Sequence, residues 1–287
     1  MSASTISYST CPVCGSSKFQ QVFKAKDFTV SQEEFMIIEC MECSLRITQD
    51  VPAQDSISKY YQSEAYISHS ESKKGLINQL YHLARKRTLT AKWKLIRSVC
   101  SMKKGALLDL GAGTGAFASF MSEKGWSVTG IEPDDSARKN ALELHGIDLL
   151  PSKALYTLNE NSFDAITLWH VLEHVHGLHD YLRILKNLLR PGGRIIVAVP
   201  NYTSGDARHY QQYWAAYDVP RHLYHFSPGA MNRLLQSAQL ELKQINPMWY
   251  DAFYISLLSE QYKCGRSNAL AGFMHGAISN LQAMGNS

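Results

Sequence analysis

Two hydrophobic rhythms run along this chain. Short, nearly unbroken apolar runs occur at Ala106-Leu-Leu-Asp-Leu110, Trp126-Ser-Val-Thr-Gly-Ile131, Phe163-Asp-Ala-Ile-Thr-Leu-Trp169 and Arg194-Ile-Ile-Val-Ala-Val199. Runs of this length suit strands of a parallel sheet covered on both faces. Between them, apolar residues recur at helical spacing. Phe117, Phe120 and Met121 mark one helix ended by Gly125; Leu178, Leu182, Leu185 and Leu189 mark another, stopped by Pro191-Gly-Gly193. Leu76 to Val99 reads as a single amphipathic helix with Leu80, Ala84, Ala91, Leu95 and Val99 on its apolar face. Strands alternating with helices imply an α/β fold with a doubly wound sheet. Lys18–Val22 and Glu34–Glu39 read as a separate short hairpin near the N-terminus. Towards the other end, Leu240 to Trp249 is expected to form a further strand, and Asp251 to Ser287 to be mostly helical. Phe253–Leu258 either supplies a last strand or that strand is missing from this chain.

Composition narrows the class. Of 287 residues, 45% are apolar and 19% charged, which is globular rather than disordered. Mean hydropathy is −0.22, and no apolar run approaches the ~20 residues of a membrane span. The best candidate, Ala269 to Ile278, is interrupted by Gly272, His275 and Gly276. The opening MSASTISYST lacks a basic stretch followed by an apolar one, so no secretory signal is expected and the expected location is cytoplasmic. Net charge is +4, unevenly spread: no acid lies between Glu71 and Asp109, where ten of the 29 Lys and Arg residues fall, leaving 19 against 25 acids elsewhere. Such a segment either meets an anionic partner (RNA, a nucleotide sugar or a lipid phosphate) or is the solvated face of the Leu76–Val99 helix.

Four of six cysteines are paired. Cys11-Pro-Val-Cys14-Gly15 is answered by Cys40-Met-Glu-Cys43. Each Cys-x-x-Cys places two thiolates on one turn, and two such turns make a tetrahedral sulfur site. Gly15 lets the first turn close tightly. The arrangement resembles a zinc ribbon, with Cys11, Cys14, Cys40 and Cys43 as ligands. All four positions being thiolate, no coordination site stays open, and the zinc is expected to be structural. Two disulfides are the alternative, but cytosolic thiols are kept reduced, and a redox pair needs no second copy. Cys100 and Cys264 read as small buried hydrophobes.

Residues 106–145 carry the most specific pattern. The first apolar run enters Gly111-Ala112-Gly113-Thr114-Gly115, a helix follows, and the second run ends in Glu132-Pro133. Glycines let the backbone approach a ligand, and an acid ending the second strand accepts hydrogen bonds from both ribose hydroxyls. The G-x-G-x-G spacing differs from the dinucleotide fingerprint. Asp109 just before the loop repels a pyrophosphate and suits the cationic amino-acid end of S-adenosylmethionine. Asp109-Leu-Gly-Ala-Gly-Thr-Gly115 with Ile131-Glu132-Pro133-Asp134 resembles the class I S-adenosylmethionine-dependent methyltransferases, over roughly residues 105–250. The resemblance implies a Rossmann-like sheet in which Phe163–Trp169 and Arg194–Val199 are the fourth and fifth strands. It implies that Asp109 anchors the methionine amine, Gly111 to Gly115 line the ligand and Glu132 holds the ribose. Trp169 and His170 stand at the carboxyl end of the fourth strand, where ligands gather. S-adenosylhomocysteine would be the product.

His170-Val-Leu-Glu173-His174 matches the H-x-x-E-H metalloprotease pattern, with His176 and His179 nearby. It follows a strand within a fold already accounted for, no distant glutamate ligand is evident, and a five-residue pattern recurs by chance. Glu173 and His174 are instead expected to order the loop by hydrogen bonds. Downstream lie Tyr210, Tyr213, Trp214, Tyr217, Asp218, Arg221, His222, Tyr224 and His225, either a substrate lid or a satellite core. Asp218-Val-Pro-Arg-His222-Leu-Tyr-His225-Phe-Ser-Pro is similar to zinc-containing methyltransferases of deoxysugars and related metabolites. In the sugar C-methyltransferases a His before Leu-x-x-Phe-Ser is catalytic, which matches His222. Their Tyr and Glu have no counterpart where Val219, Pro220 and Arg221 stand, which argues for a hydroxyl acceptor deprotonated by His222, with His225 the second candidate. Tyr60, Tyr61, Tyr66 and His69 resemble the cofactor-covering segment of the same relatives.

The expected organisation is a zinc ribbon over 1–50, a helical connector and cofactor lid over 51–104, a methyltransferase core over 105–250 with a substrate loop at 200–228, and a helical segment over 251–287. The expected acceptor is a small molecule, a sugar or glycan precursor or a lipid-linked metabolite, with a phosphate-bearing one in view. An RNA methyltransferase gripping phosphates with its ribbon and basic segment is the alternative enzyme, and a cofactor-sensing interaction protein the non-catalytic one.

Overall fold

The computed structural model describes residues 5–61, 76–265 and 269–284. In chain order the strands are β1 (Thr5–Ile6), β2 (Phe19–Lys26), β3 (Glu34–Cys40), β4 (Arg46–Thr48), β5 (Val51–Pro52), β6 (Ala106–Leu110), β7 (Ser127–Ile131), β8 (Phe163–Trp169), β9 (Leu189–Ala198) and β10 (Tyr224–His225). The helices are α1 (Leu76–Val99), α2 (Ala116–Glu123), α3 (Asp135–His145), α4 (Leu178–Leu188), α5 (Gly205–Tyr210), α6 (Pro228–Ser237), α7 (Trp249–Cys264) and α8 (Ala269–Met284). They form two compact units, each discontinuous in sequence: one of residues 73–172 and 180–199, the other of 1–72, 173–179 and 200–287.

The first unit is a Rossmann-like α/β unit. Its sheet has the order β7-β6-β8-β9, with every pair parallel. Strand β6 is central and lies between its partners with Leu107, Leu108 and Leu110 fully buried, as its unbroken apolar run requires. Beyond β7, the place of a third strand is reduced to one parallel bridge between Ile131 and Leu150. The helix expected at Leu76–Val99 forms with those bounds; the side chains of Leu80 and Ala84 lie outside the described residues, and over residues 87–99 the buried seam differs from the expected one. Ile96 is fully buried, with Leu89, Trp93 and Cys100 packed beside it, while Ala91 is exposed. Larger side chains at helical spacing fill the space over Leu107, Phe117, Met121 and Trp126 better than an alanine face does.

The second unit is built on an antiparallel sheet of order β10-β4-β3-β2. The expected hairpin is β2 and β3, longer than the sequence indicated. Its far edge is completed from a distant part of the chain: Tyr224 pairs with Ile47 and His225 with Arg46. Phe35, Ile37, Tyr60, Tyr202, Tyr210, Trp214, Tyr217 and Val219 share one buried cluster. Of the two readings of the aromatic loop, the packed core thus describes Tyr210, Trp214 and Tyr217. The strand expected over Leu240 to Trp249 is absent: residues 240–248 carry no regular element, and Trp249 begins α7. Pro247 withholds a ladder donor and Ile245 is 55% exposed, so the segment lacks a buried face. Phe253–Leu258 lies inside α7 and is not a strand.

Candidate functional site

In the α/β unit, the loop after β6 is held from both sides. Ala112 N–H donates to Ile131 O at 3.0 Å, fastening the loop to β7. Gly111 has φ +64, and a Cβ there would meet Val171 Cγ2 at 2.6 Å. Gly115, φ +76, precedes α2, and a Cβ would lie 2.8 Å from Ala141 Cβ. Both positions therefore require glycine on conformation and on space. At Gly113 no atom lies within 4 Å of a built Cβ, leaving that face of the loop open. Thr114 and Ala112 are half-buried beside it.

Both sequence-predicted acids are found at this loop. Glu132 Oε2 accepts from Gly113 N–H at 2.8 Å and Oε1 from Asp134 N–H at 3.0 Å. Each oxygen keeps lone-pair capacity for a ribose hydroxyl. Burial raises the Glu132 pKa, against these backbone donors. Asp109 is 1% exposed and accepts from the Thr167 hydroxyl at 2.7 Å. Burial pushes its carboxyl up to about 7, opposed by the Thr167 bond and the Lys92 charge. A cationic ligand group would offset exactly that desolvation, so the donor set fits the methionine end of S-adenosylmethionine. Trp169 closes β8 with its ring edge-to-face with Phe117, centroids 5.6 Å apart, and with Lys92 Nζ 4.2 Å from its centroid, and its buried Nε1–H has no partner among the described residues. His170, exposed and at φ +59, follows; Pro133 is exposed after Glu132. Sequence reasoning missed Thr167 and Lys92, since neither carries a motif; the period-two register of β8 against β6 was the available signal for Thr167.

The four ribbon cysteines converge. Their sulfurs all lie within 4.8 Å of one another, with Cys11–Cys43 and Cys14–Cys40 each at 3.5 Å. A tetrahedral ion with Zn–S bonds of about 2.3 Å needs edges of about 3.8 Å. The cluster fits a zinc-ribbon-like module.

The second unit also gathers the histidine candidates. His222 is 8% exposed and its Nδ1 lies 2.9 Å from Ala216 O. That bond requires Nδ1–H, leaving Nε2 with its lone pair in the neutral ring. His174 Nδ1 lies 2.9 Å from Arg221 O and 3.1 Å from the Tyr61 hydroxyl, and its ring packs edge-on to His222 with centroids 4.6 Å apart. Burial, then the neighbouring His222, lowers the His174 pKa to about 4. His225 is 1% exposed with Nε2 2.9 Å from Thr48 Oγ1. The Thr48 hydroxyl donates its one proton to His222 O at 2.7 Å, so His225 must donate to it. His225 thereby positions the His222 backbone, and burial drives its own pKa well down. Arg221 is a buried clamp on Asp218 (2.6 Å), Asp27 (3.1 Å) and Tyr60 O (2.8 Å). Tyr66 and His69 lie outside the described residues.

A buried acid, a glycine loop and an acid-ended second strand on a parallel sheet define an α/β transferase fold of the S-adenosylmethionine-binding class. A family model described as a methyltransferase domain matches residues 82–245, more than half of the chain, so the chain belongs to that family and is an S-adenosylmethionine-dependent methyltransferase. It is similar to the ubiquinone biosynthesis O-methyltransferase of Aeromonas salmonicida, 27% identical over 175 residues, 56% of this chain and 71% of that one. The demethylmenaquinone methyltransferase of Tropheryma whipplei is 27% identical over 188 residues, 62% of this chain and 74% of the other. Among solved structures, the Burkholderia thailandensis 1,6-didemethyltoxoflavin-N1-methyltransferase, crystallised with 1,6-didemethyltoxoflavin and S-adenosylhomocysteine, matches at 18% identity over 72% of this chain and 89% of that chain, TM-score 0.46. Among the described residues no helix is long and apolar enough to cross a membrane.

Proposed function

We propose that this methyltransferase moves the methyl group of S-adenosylmethionine to a hydroxyl oxygen of a small molecule, a glycan precursor or a lipid-linked metabolite such as a hydroxylated quinone precursor. Asp109 holds the methionine ammonium, the Gly111–Gly115 backbone approaches the ligand, Glu132 takes the ribose hydroxyls, and Trp169 and His170 line the cofactor pocket. Cys11, Cys14, Cys40 and Cys43 hold a structural zinc. The acceptor's proton is drawn off at His222, and the carrying observation is its tautomer: with Nδ1–H committed to Ala216 O, Nε2 is a proton acceptor. In-line attack of the oxygen on the sulfonium methyl breaks the S–CH3 bond and leaves S-adenosylhomocysteine. The relatives named for ubiquinone and menaquinone support a small, oxygen-bearing acceptor.

The test uses methyl-labelled S-adenosylmethionine with a fractionated lysate and with catechol, hydroxyquinone and sugar acceptors. Label is expected in the small-molecule or lipid extract, as a methyl ether. His222→Ala is expected to lower kcat about 100-fold or more, within the range for a lost general base, with cofactor affinity unchanged. Label in nuclease-sensitive polymer would instead establish the RNA reading.

A further inference from the structure

The pattern His170-Val-Leu-Glu173-His174 does not close on itself as a metal site, but the fold supplies a different third member. Glu173 and His174 lie in the segment that belongs to the ribbon unit, and the histidine that joins them is His222, 48 residues further along the chain than His174. One ligand atom from each of Glu173, His174 and His222 lies within 4.8 Å of the other two. Both rings are held at Nδ1: that of His174 lies 2.9 Å from the Arg221 carbonyl, with the Tyr61 hydroxyl at 3.1 Å, and that of His222 lies 2.9 Å from the Ala216 carbonyl. Backbone carbonyls on Nδ1–H are the usual support of a histidine that ligates through Nε2, because they fix both tautomer and ring direction. The carbonyl bonded to His174 belongs to the residue next to His222, so the two ligands are braced against one another. The Leu223 amide donates to Glu173 O at 2.8 Å, which fixes the third ligand's backbone to the same strand entry. Asp218, whose Oδ2 is 3.9 Å from His222 Nε2, is engaged by Arg221 at 2.6 and 3.0 Å and stays with that clamp.

We propose that Glu173, His174 and His222 form a second metal site, distinct from the cysteine ribbon, that takes one divalent transition ion. Two imidazoles and one carboxylate suit zinc, iron(II) or manganese(II), and leave coordination positions open. Bonds of about 2.1 Å put tetrahedral ligand atoms about 3.4 Å apart, a contraction within reach of side-chain rotation. The ion also neutralises a fully buried carboxylate. Its open position takes a hydroxyl oxygen: the O–H bond breaks, the proton leaves to water, and the oxyanion stays on the cation. With the ion bound, His222 Nε2 is a ligand and the ion activates the hydroxyl in place of the ring; in the metal-free chain the ring accepts the proton as proposed above. This role rests on the hydroxyl acceptor proposed above; the binding does not.

Cobalt(II) titration of the metal-free full chain separates the two sites, because thiolate ligands give an intense near-ultraviolet charge-transfer band and an N,N,O site gives only weak visible bands. The expected result is saturation at two equivalents per chain, one with the thiolate band and one without. His174→Ala, His222→Ala and the isosteric Glu173→Gln should each stop at the thiolate equivalent, whose retained band shows that the same unit is still folded. Saturation of the unaltered chain at one equivalent, or a second equivalent that survives all three substitutions, overturns the proposal. Two equivalents without methyl-ether formation on any hydroxyl acceptor supports the site and overturns only the acceptor reading.

Discussion

Asp109 in the α/β unit and Asp27 in the ribbon unit are the same residue type at the same 1% exposure, yet they titrate in opposite directions. At Asp27 burial pushes upward, but Ser31 N–H, Arg221 and Thr29 outweigh it and hold the carboxyl at about 2. At Asp109 one threonine hydroxyl and a more distant lysine do not, and burial leaves it at about 7. Burial alone therefore does not tell a structural acid from a ligand-binding one. The partners differ: Asp27 has its cation built into the chain, whereas Asp109 has only the Thr167 hydroxyl and the Lys92 charge and, in the role proposed for it, would be completed by the ammonium of the cofactor.

That contrast is best broken by removing partners, and the ribbon gives the largest effect. Cys40→Ser should lose the zinc and the cooperative unfolding of the ribbon unit together, since a structural zinc is worth on the order of 10 kcal/mol to small modules; metal analysis and thermal melting read both. Arg221→Ala leaves Asp27 and Asp218 without their buried cation and should cost about 3–5 kcal/mol in urea unfolding. Asp109→Asn removes the charge proposed to hold the methionine ammonium, and calorimetry should show cofactor binding about 10- to 100-fold weaker.

The same substitution separates the two acids by pH. A folded pKa raised from 3.8 to about 7 means the folded state binds the extra proton, so stability falls as pH rises across that window. Asp109→Asn should flatten this decline. The Asp27 contribution has the reverse sign: it is present above 3.8 and is lost as pH falls towards about 2. Smallest of all, Lys18→Ala breaks a 3.1 Å bridge to Glu42 that is 72% and 48% exposed, and should shift stability by at most about 0.5 kcal/mol. A larger shift would mean the hairpin depends on its surface charges.

The α/β unit was largely legible because its signals are local. The Asp109 to Gly115 loop and the β7 terminus at Glu132 each sit within a few residues of what they control, whereas the helix expected to run to Leu189 and stop at Pro191-Gly-Gly193 ends at Leu188, and β9 already runs through that step. Where the signal is weaker the structure departs from it: Ala91 lies on the expected apolar stripe but is exposed, and Ile96, off that stripe, is buried instead. The strand expected at Leu240 to Trp249 has no regular element over 240–248 and no sheet face to bury.

By itself the sequence determined the cysteine turns, the glycine loop and the two acids at the proposed cofactor site, because backbone conformation and ligand chemistry there depend on residue type at fixed short spacing. Only the tertiary structure decided that Tyr224–His225 completes the ribbon sheet, that Arg221 clamps Asp27, and that His222 stands with Glu173 and His174. Those pairings join residues from 48 to nearly 200 positions apart. No local pattern encodes them, because contacts so far apart in sequence form only when the fold closes the long loops between them.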